Sequence, residues 1–88
     1  MRESQRIPTD EPATLQLLNP LSPDTWEVRI RDVSRGGICV LSPKPMDRGA
    51  QVKVHRSTVV AFGEVRYCIA VGKMFHAGIL IREVLSVP

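Results

Sequence analysis

The segment from Asp32 to Gly37 joins two apolar stretches of the chain and is dense in polar and small residues. Its sequence, DVSRGG, combines a carboxylate, a hydroxyl, a guanidinium group and two glycines. A carboxylate accepts hydrogen bonds from paired N–H donors such as one edge of guanine, a hydroxyl donates to phosphate, and glycines let a ligand approach the backbone. The same residues also suit an ordinary loop, in which Asp and Ser bond to backbone amides and Gly takes a positive φ. The segment therefore predicts a loop longer than a tight turn, either purely structural or forming part of a site for a purine and phosphate.

A second group of candidate ligand-binding residues lies at the N-terminus, where Arg2 and Arg6 are four positions apart. This spacing places both guanidinium groups on one side of the chain, whether it is helical or extended. Guanidinium groups bind phosphate and the O6/N7 edge of guanine, and they stack on flat rings. Both arginines could instead be ordinary charges of a solvated terminus. Placed beside Asp32 and Ser34, however, they would complete a composite site for an anionic purine ligand.

Strands must position these groups, because six short segments alternate between apolar and polar residues or are rich in β-branched residues. They are ATLQLLN (13–19), TWEVRIR (25–31), GICVLS (37–42), QVKVHR (51–56), STVVAFGEVRYCIAV (57–71) and KMFHAGILIREV (73–84). Turn signals recur roughly every ten residues, and no amphipathic helix of useful length is visible. The pattern predicts an all-β fold, a small six-stranded antiparallel β-barrel over residues 13–88, since closure removes exposed strand edges. Residues 1–12, which are polar and contain two prolines, predict a flexible N-terminal arm.

The alternation in the second predicted strand indicates which of its residues face the core. The apolar positions, predicted to point into the barrel, are Trp26, Val28 and Ile30. The charged positions between them, predicted to point outward, are Glu27, Arg29 and Arg31. Gly63, inside the fifth predicted strand, is typical of a β-bulge or a barrel bend.

Length, charge and cysteine content exclude several classes of protein. A chain of 88 residues with a formal charge of +3 is one small domain, and its basic excess is weaker than the basic stripe of a typical nucleic-acid-binding protein. No apolar run approaches the roughly 18 residues of a membrane span, and the first residues do not resemble a signal peptide. Two cysteines, Cys39 and Cys68, are too few for a disulfide framework. We therefore expect a cytoplasmic domain without a membrane span, with nucleic acid an unlikely partner.

Metal and catalytic patterns are weak in this sequence. His55 and His76 could join the two cysteines as zinc ligands, but neither CxxC nor HxxxH spacing occurs. No nucleophile-elbow motif is present, and small barrels without deep clefts are usually binding proteins. The four aromatic residues could stack on bases, but they are expected to belong to the core. We expect no metal site, no cofactor and no catalytic residue.

The two candidate segments, in this order, resemble the motifs of the PilZ domain, a family of six-stranded β-barrels that bind the bacterial second messenger cyclic di-GMP. The family's RxxxR motif is matched by Arg2 and Arg6, and its (D/N)xSxxG motif by Asp32, Ser34 and Gly37. The segments FGEVRY and FHAGILI are similar to the family's Gly-x-Val-Arg strand and its closing glycine-containing strand. The resemblance covers nearly the whole chain.

The resemblance implies a role for each matched residue. The two arginines of the arm would bind guanine edges and phosphates of cyclic di-GMP. Asp32 and Ser34 would hydrogen-bond a guanine or a phosphate from the barrel, and Gly37 would keep the shape of the loop. Arg35, which the motif does not specify, is a further candidate contact to phosphate.

The function that follows is that of a non-catalytic sensor module, which binds cyclic di-GMP and signals to a protein partner or a fused domain by ordering its N-terminal arm. One alternative is a PilZ-like barrel that acts as a protein-interaction module without nucleotide binding. Another is a small barrel that binds single-stranded nucleic acid, with a steep salt dependence. The pair of motifs favours the sensor, since a barrel that had lost nucleotide binding is expected to lack one of the arginines.

Overall fold

The chain folds into six β-strands. The computed structural model describes residues 7–19 and 21–86, so Arg2 and Arg6 lie outside the described residues. The strands are β1 (Ile7–Asn19), β2 (Leu21–Ser34), β3 (Gly37–Ser42), β4 (Gln51–Arg56), β5 (Val59–Val71) and β6 (Met74–Ser86). The described part of the chain contains no helix. The prediction of an all-β fold is confirmed.

The strands form one closed antiparallel barrel in the order β1-β2-β3-β6-β5-β4, and β4 pairs back onto β1. Neighbours in sequence pair with each other except β3 and β4, which are separated by residues 43–50. The barrel closes because β3 pairs with β6 and β4 pairs with β1. The prediction of a six-stranded antiparallel barrel is therefore confirmed.

The side chains of β2 face the directions that its alternation predicts. Val28 and Ile30 are buried, with 1% and 5% of their surface exposed, and Trp26 packs against the core from a half-buried position. Glu27 and Arg31 are exposed. The other strands supply the rest of the core in the same alternating way: Ala13, Leu15, Val40, Val52, Val54, Val65, Ala77 and Ile79, with Met46 and Ala50 from the loop after β3.

The first two strands extend by several residues beyond their predicted limits, and β6 ends two residues later than predicted, at Ser86. β1 begins at Ile7, inside the segment predicted as an arm, and β2 begins at Leu21 and continues to Ser34. A strand predicted from sequence is usually ended at a proline, because proline has no N–H group to donate to the hydrogen bonds between strands. Here Pro8 and Pro12 are nevertheless paired with β2, and the register shifts between Pro8 and Glu11. The division of the chain into an arm and a barrel remains a prediction, since residues 1–6 lie outside the described residues.

Candidate functional site

The segment from Asp32 to Gly37 is a tight hairpin rather than the longer loop predicted from sequence. Ser34 pairs with Gly37, so only Arg35 and Gly36 form the turn, and Asp32 lies within β2. Gly36 has a φ of +81°, a conformation that glycine adopts without strain. The prediction of a loop was wrong because β2 and β3 continue to pair through the polar residues at their ends.

Contacts to β6 hold this turn in place. The Ile81 N–H donates a hydrogen bond to the Gly36 carbonyl oxygen at 2.8 Å. A Cβ on Gly37 would lie 3.1 Å from the Ile79 carbonyl oxygen, which is tighter than nine in ten real Cβ contacts. A side chain at this position would therefore need β6 to shift by a few tenths of an ångström, so glycine favours the close approach of β3 to β6.

A β-bulge decides the direction of the polar residues in β2. Ile30 pairs with Val40 and Asp32 pairs with Cys39, so Arg31 is an extra residue without an opposite partner. Regular alternation would place Asp32 on the inner face together with Ile30, but one extra residue reverses the faces beyond it. Asp32 and Ser34 consequently face the outer surface of the barrel, where both are half-buried.

A second bulge has the same effect on β5. Val65, which is fully buried, pairs with Ile79, and Tyr67 pairs with Gly78, so Arg66 is the extra residue here. Without it, Tyr67 would point into the core two positions after Val65. The bulge instead turns the Tyr67 ring to the outer surface, where 38% of the residue is exposed.

The two bulges align a row of residues across four strands on the outer surface. Asp32 pairs with Cys39, Cys39 pairs with Gly78, and Gly78 pairs with Tyr67. The Tyr67 ring covers Gly78 so closely that a Cβ at that position would overlap with it. The Tyr67 hydroxyl donates a weak hydrogen bond to the Cys39 Sγ at 3.9 Å. Gly78 thus allows the Tyr67 ring to lie flat across β6 and reach β3.

A shallow groove of about 210 Å³ lies beside this row. Its lining comes from the β2–β3 turn, from β5 and from β6: Ser34, Arg35, Gly36, Gly37, Ile38, Arg66, Tyr67, Gly78, Ile79 and Leu80. Among the described residues of this lining, the charged ones are Arg35 and Arg66, both exposed. The groove therefore offers two cations, a hydroxyl and an aromatic ring, a combination suited to a ligand with phosphates and flat rings.

An acidic side chain near the groove is neutralised by its own partner. Glu64 lies on β5 opposite Leu80, one of the groove residues. Arg82 Nη2 donates a hydrogen bond to Glu64 Oε1 at 2.5 Å, and this bond holds the pKa of Glu64 below its ordinary value. Because this carboxylate is paired with Arg82, it opposes anion binding in the groove only weakly.

A second ion pair fixes the bulge at the start of β1. Arg29 Nε donates to Asp10 Oδ1 at 3.0 Å, and Arg29 Nη2 donates to the Asp10 carbonyl oxygen at 3.1 Å. The hydrogen bond from Arg29 lowers the pKa of Asp10 below its ordinary value. These contacts fix the backbone just after Pro8, the residue that pairs with Asp32 of the outer row.

The structure brings together some of the residues predicted from sequence and adds two others. Ser34, Arg35 and Gly37 line the groove, and Asp32 lies in the adjacent row on the same face. Arg66 and Tyr67 were not among the predicted site residues. Their types, in the segment FGEVRY, are suited to binding an anionic aromatic ligand, but only the bulge reveals that Tyr67 faces outward.

No group of three or more His, Cys, Asp or Glu residues that could hold a metal ion occurs among residues 7–19 and 21–86. Cys39 is buried and Cys68 is half-buried, and neither forms a disulfide within the described part of the chain. Within the same residues, no helix is long and apolar enough to cross a membrane.

A model of a known protein family matches most of the chain. The family model described as PilZ domain matches residues 1–83 of the 88-residue chain. The matched range includes both arginines of RxxxR, the β2–β3 turn and the groove. A search of curated proteins gives no match.

Proposed function

We propose that this chain, which belongs to the PilZ domain family, binds cyclic di-GMP on the outer face of its barrel. The family is known for cyclic di-GMP-binding modules and is a family of binding domains rather than enzymes. The observation that carries the proposal is the groove, in which motif residues Ser34 and Gly37 lie beside two exposed arginines and an outward-facing tyrosine.

Each part of the groove matches one part of the ligand. Cyclic di-GMP carries two phosphates, which Arg35 and Arg66 can bind with charge-assisted hydrogen bonds. It also carries two guanines, and the exposed face of Tyr67 offers a surface on which one of them can stack. At the end of β2, the Ser34 hydroxyl can donate or accept a hydrogen bond, and the Asp32 carboxylate can accept hydrogen bonds from N–H donors of the ligand.

The size of the groove supports a composite site. Its volume of about 210 Å³ is below the roughly 300–1,000 Å³ of typical small-molecule pockets, and a cyclic dinucleotide is too large to be enclosed by it. The barrel would therefore cover one side of the ligand. In our proposal Arg2 and Arg6 cover the other side.

We further propose that ligand binding orders the N-terminal arm and so signals to a protein partner or a fused domain in the cytoplasm. Ahead of the bulge between Pro8 and Glu11, the described residues of β1 pair with β2 at Ile7–Val33 and Pro8–Asp32. Pro8 has no amide hydrogen to donate, and Ile7 is 61% exposed, so these two residues add little burial or backbone hydrogen bonding to the start of the strand ahead of the Arg29–Asp10 ion pair. A ligand that bridges the arm and the barrel would shift the population towards the closed state.

Amide hydrogen exchange tests the ordering step. Exchange across residues 4–9 is expected to slow when cyclic di-GMP is added, because those residues become trapped between the ligand and the barrel. Exchange at Val52 and Val54, in the core of β4, serves as the internal control and is expected to stay constant. Equal protection of residues 4–9 with and without saturating ligand would contradict the switch even if binding itself were observed.

Titration calorimetry tests ligand binding and separates it from the alternatives. We expect saturable heat with cyclic di-GMP and none with GTP, which lacks the second guanine and the cyclic backbone. No heat with any nucleotide would favour a protein-interaction module. Tight binding of a single-stranded oligonucleotide that weakens steeply with salt would favour the nucleic-acid-binding alternative.

Removal of the Tyr67 ring is expected to weaken cyclic di-GMP binding. Loss of one base–aromatic stacking contact costs about 1–3 kcal/mol, so Tyr67→Ala should raise the dissociation constant roughly 5- to 150-fold. Tyr67→Phe keeps the ring and should bind nearly as the wild type does. Unchanged affinity in Tyr67→Ala, measured by the same calorimetry, would exclude the ring from the site.

A further inference from the structure

The strand β5 extends beyond its neighbour in the barrel. β4 pairs with β5 as far as Glu64, and Gly49 and Ala50 add backbone hydrogen bonds to Val65. Beyond Val65, no strand among the described residues pairs with β5 on the side opposite β6. The second half of β5, residues 66–71, is therefore a sheet edge, although the barrel as a whole is closed.

The side chains along this edge are apolar and exposed. Ile69 is 57% exposed and Val71 is 53% exposed. The five residues from Tyr67 to Val71, YCIAV, contain no charge and no proline. Proteins usually protect an exposed strand edge with charged residues, proline or a bulge, because such an edge readily pairs with another chain. After the bulge at Arg66, this edge has no charge, proline or further bulge, and the loop after β3 contacts it at Cys68, where the Met46 N–H donates a hydrogen bond to Cys68 Sγ at 3.5 Å.

We propose that the β5 edge pairs with the β5 edge of a second copy of this chain. Two copies of one strand form an antiparallel pair about a two-fold axis, since each then presents the same donors and acceptors to the other. The uncharged segment, residues 67–71, is centred on Ile69. A two-fold axis at Ile69 therefore pairs all five residues of the segment with the other copy. Ile69 then lies opposite Ile69 of the other copy, and Tyr67 lies opposite Val71.

Charge supports this register. With Ile69 on the axis, Arg66 of one copy lies opposite Gly72 of the other, and Lys73 lies opposite Val65. No two like charges lie directly opposite each other in this register. Like charges in that position would destabilise the pairing of the two strands. On the outer surface, the same register places exposed apolar side chains against each other.

The pairing is expected to be weak and dependent on concentration. Five residues of one edge bury much less than the roughly 800 Å² per partner of a standard stable interface. The two-fold axis also brings two Tyr67 rings to the same continuous sheet, each at the border of its own groove. The pairing itself does not require the proposed ligand, and its test is independent of nucleotide binding.

Sedimentation velocity of the full chain at increasing concentration tests the pairing. We expect a reversible monomer–dimer equilibrium in the wild type. In Ile69→Lys two ammonium groups oppose each other at the axis, so the dissociation constant should rise about tenfold or more. Ile7→Lys is the matched control, because Ile7 is similarly exposed, at 61%, on a different strand. A wild type that stays monomeric throughout, or equal association of both variants, would overturn the proposal.

Cross-linking tests the register. Under mild oxidation, Ile69→Cys should form a disulfide between two copies, because the two residues face each other at the axis. Val71→Cys should not, because its counterpart lies four residues along the strand, about 13 Å away. Efficient cross-linking of Val71→Cys, or none of Ile69→Cys above the level of the wild-type thiols, would contradict pairing centred on Ile69.

Discussion

Substitution of Val28 by aspartate is expected to abolish the cooperative unfolding transition of the domain. Val28 is 1% exposed and belongs to the main core cluster. A carboxylate at this position would be buried without a partner, at a cost of several kcal/mol. Small domains have a total free energy of unfolding of about 5–15 kcal/mol, and a chain of 88 residues is at the low end of that range. Thermal unfolding followed by circular dichroism measures the effect.

The neighbouring residue provides the control for this prediction. Glu27 is exposed on the opposite face of the same strand, so Glu27→Lys should unfold within a few degrees of the wild type. A native-like transition in Val28→Asp together with loss of folding in Glu27→Lys would show that the strand register is shifted by one residue.

Replacement of Arg6 by alanine is expected to weaken cyclic di-GMP binding by about 2–4 kcal/mol, roughly 30- to 900-fold in the dissociation constant. The reason is the loss of the charge-assisted hydrogen bonds that a guanidinium group makes to guanine or phosphate. Calorimetry measures the change. Arg48→Ala is the matched control, since it removes the same charge from an exposed residue of the loop after β3, outside the groove.

A double-mutant cycle sharpens this prediction. If Arg6 and Asp32 bind the same ligand molecule from opposite sides, the loss in Arg6→Ala and the loss in Asp32→Ala should not add. If the losses of binding free energy add, the two residues act on the ligand independently. Wild-type affinity in Arg6→Ala would show that the arm is not part of the binding site.

The sequence pattern predicted the strands and the inward residues of β2, since alternation is a local property of each strand. Val28 and Ile30 face the core because regular pairing holds up to Ile30. Gly63 was predicted to mark a bulge or a barrel bend, and the register with β6 does shift between Phe62 and Gly63, although the extra residue at this shift is Arg82 of β6. Alternation is visible in one strand alone, whereas the side on which a bulge falls is not.

The outward direction of the site residues could not be predicted in the same way. The bulges at Arg31 and Arg66 exist only relative to the partner strands, and neither position carries glycine or another local signal. Extended alternation alone would have placed Tyr67 inside with Val65. The half of the candidate site that contains Asp32 and Ser34 could be predicted from their polar side chains. The half that contains Tyr67 could not, because its outward direction depends on the register between β5 and β6.

Chemical-shift mapping by NMR tests most directly whether this chain binds cyclic di-GMP on the outer groove. In a titration of the labelled domain with cyclic di-GMP, we expect the largest amide shifts at Ser34 to Gly37, at Arg66 and Tyr67, and at Gly78, with small shifts along β4. Absence of shifts at saturating nucleotide, or shifts confined to the loop of residues 43–50 at the other end of the barrel, would contradict the account.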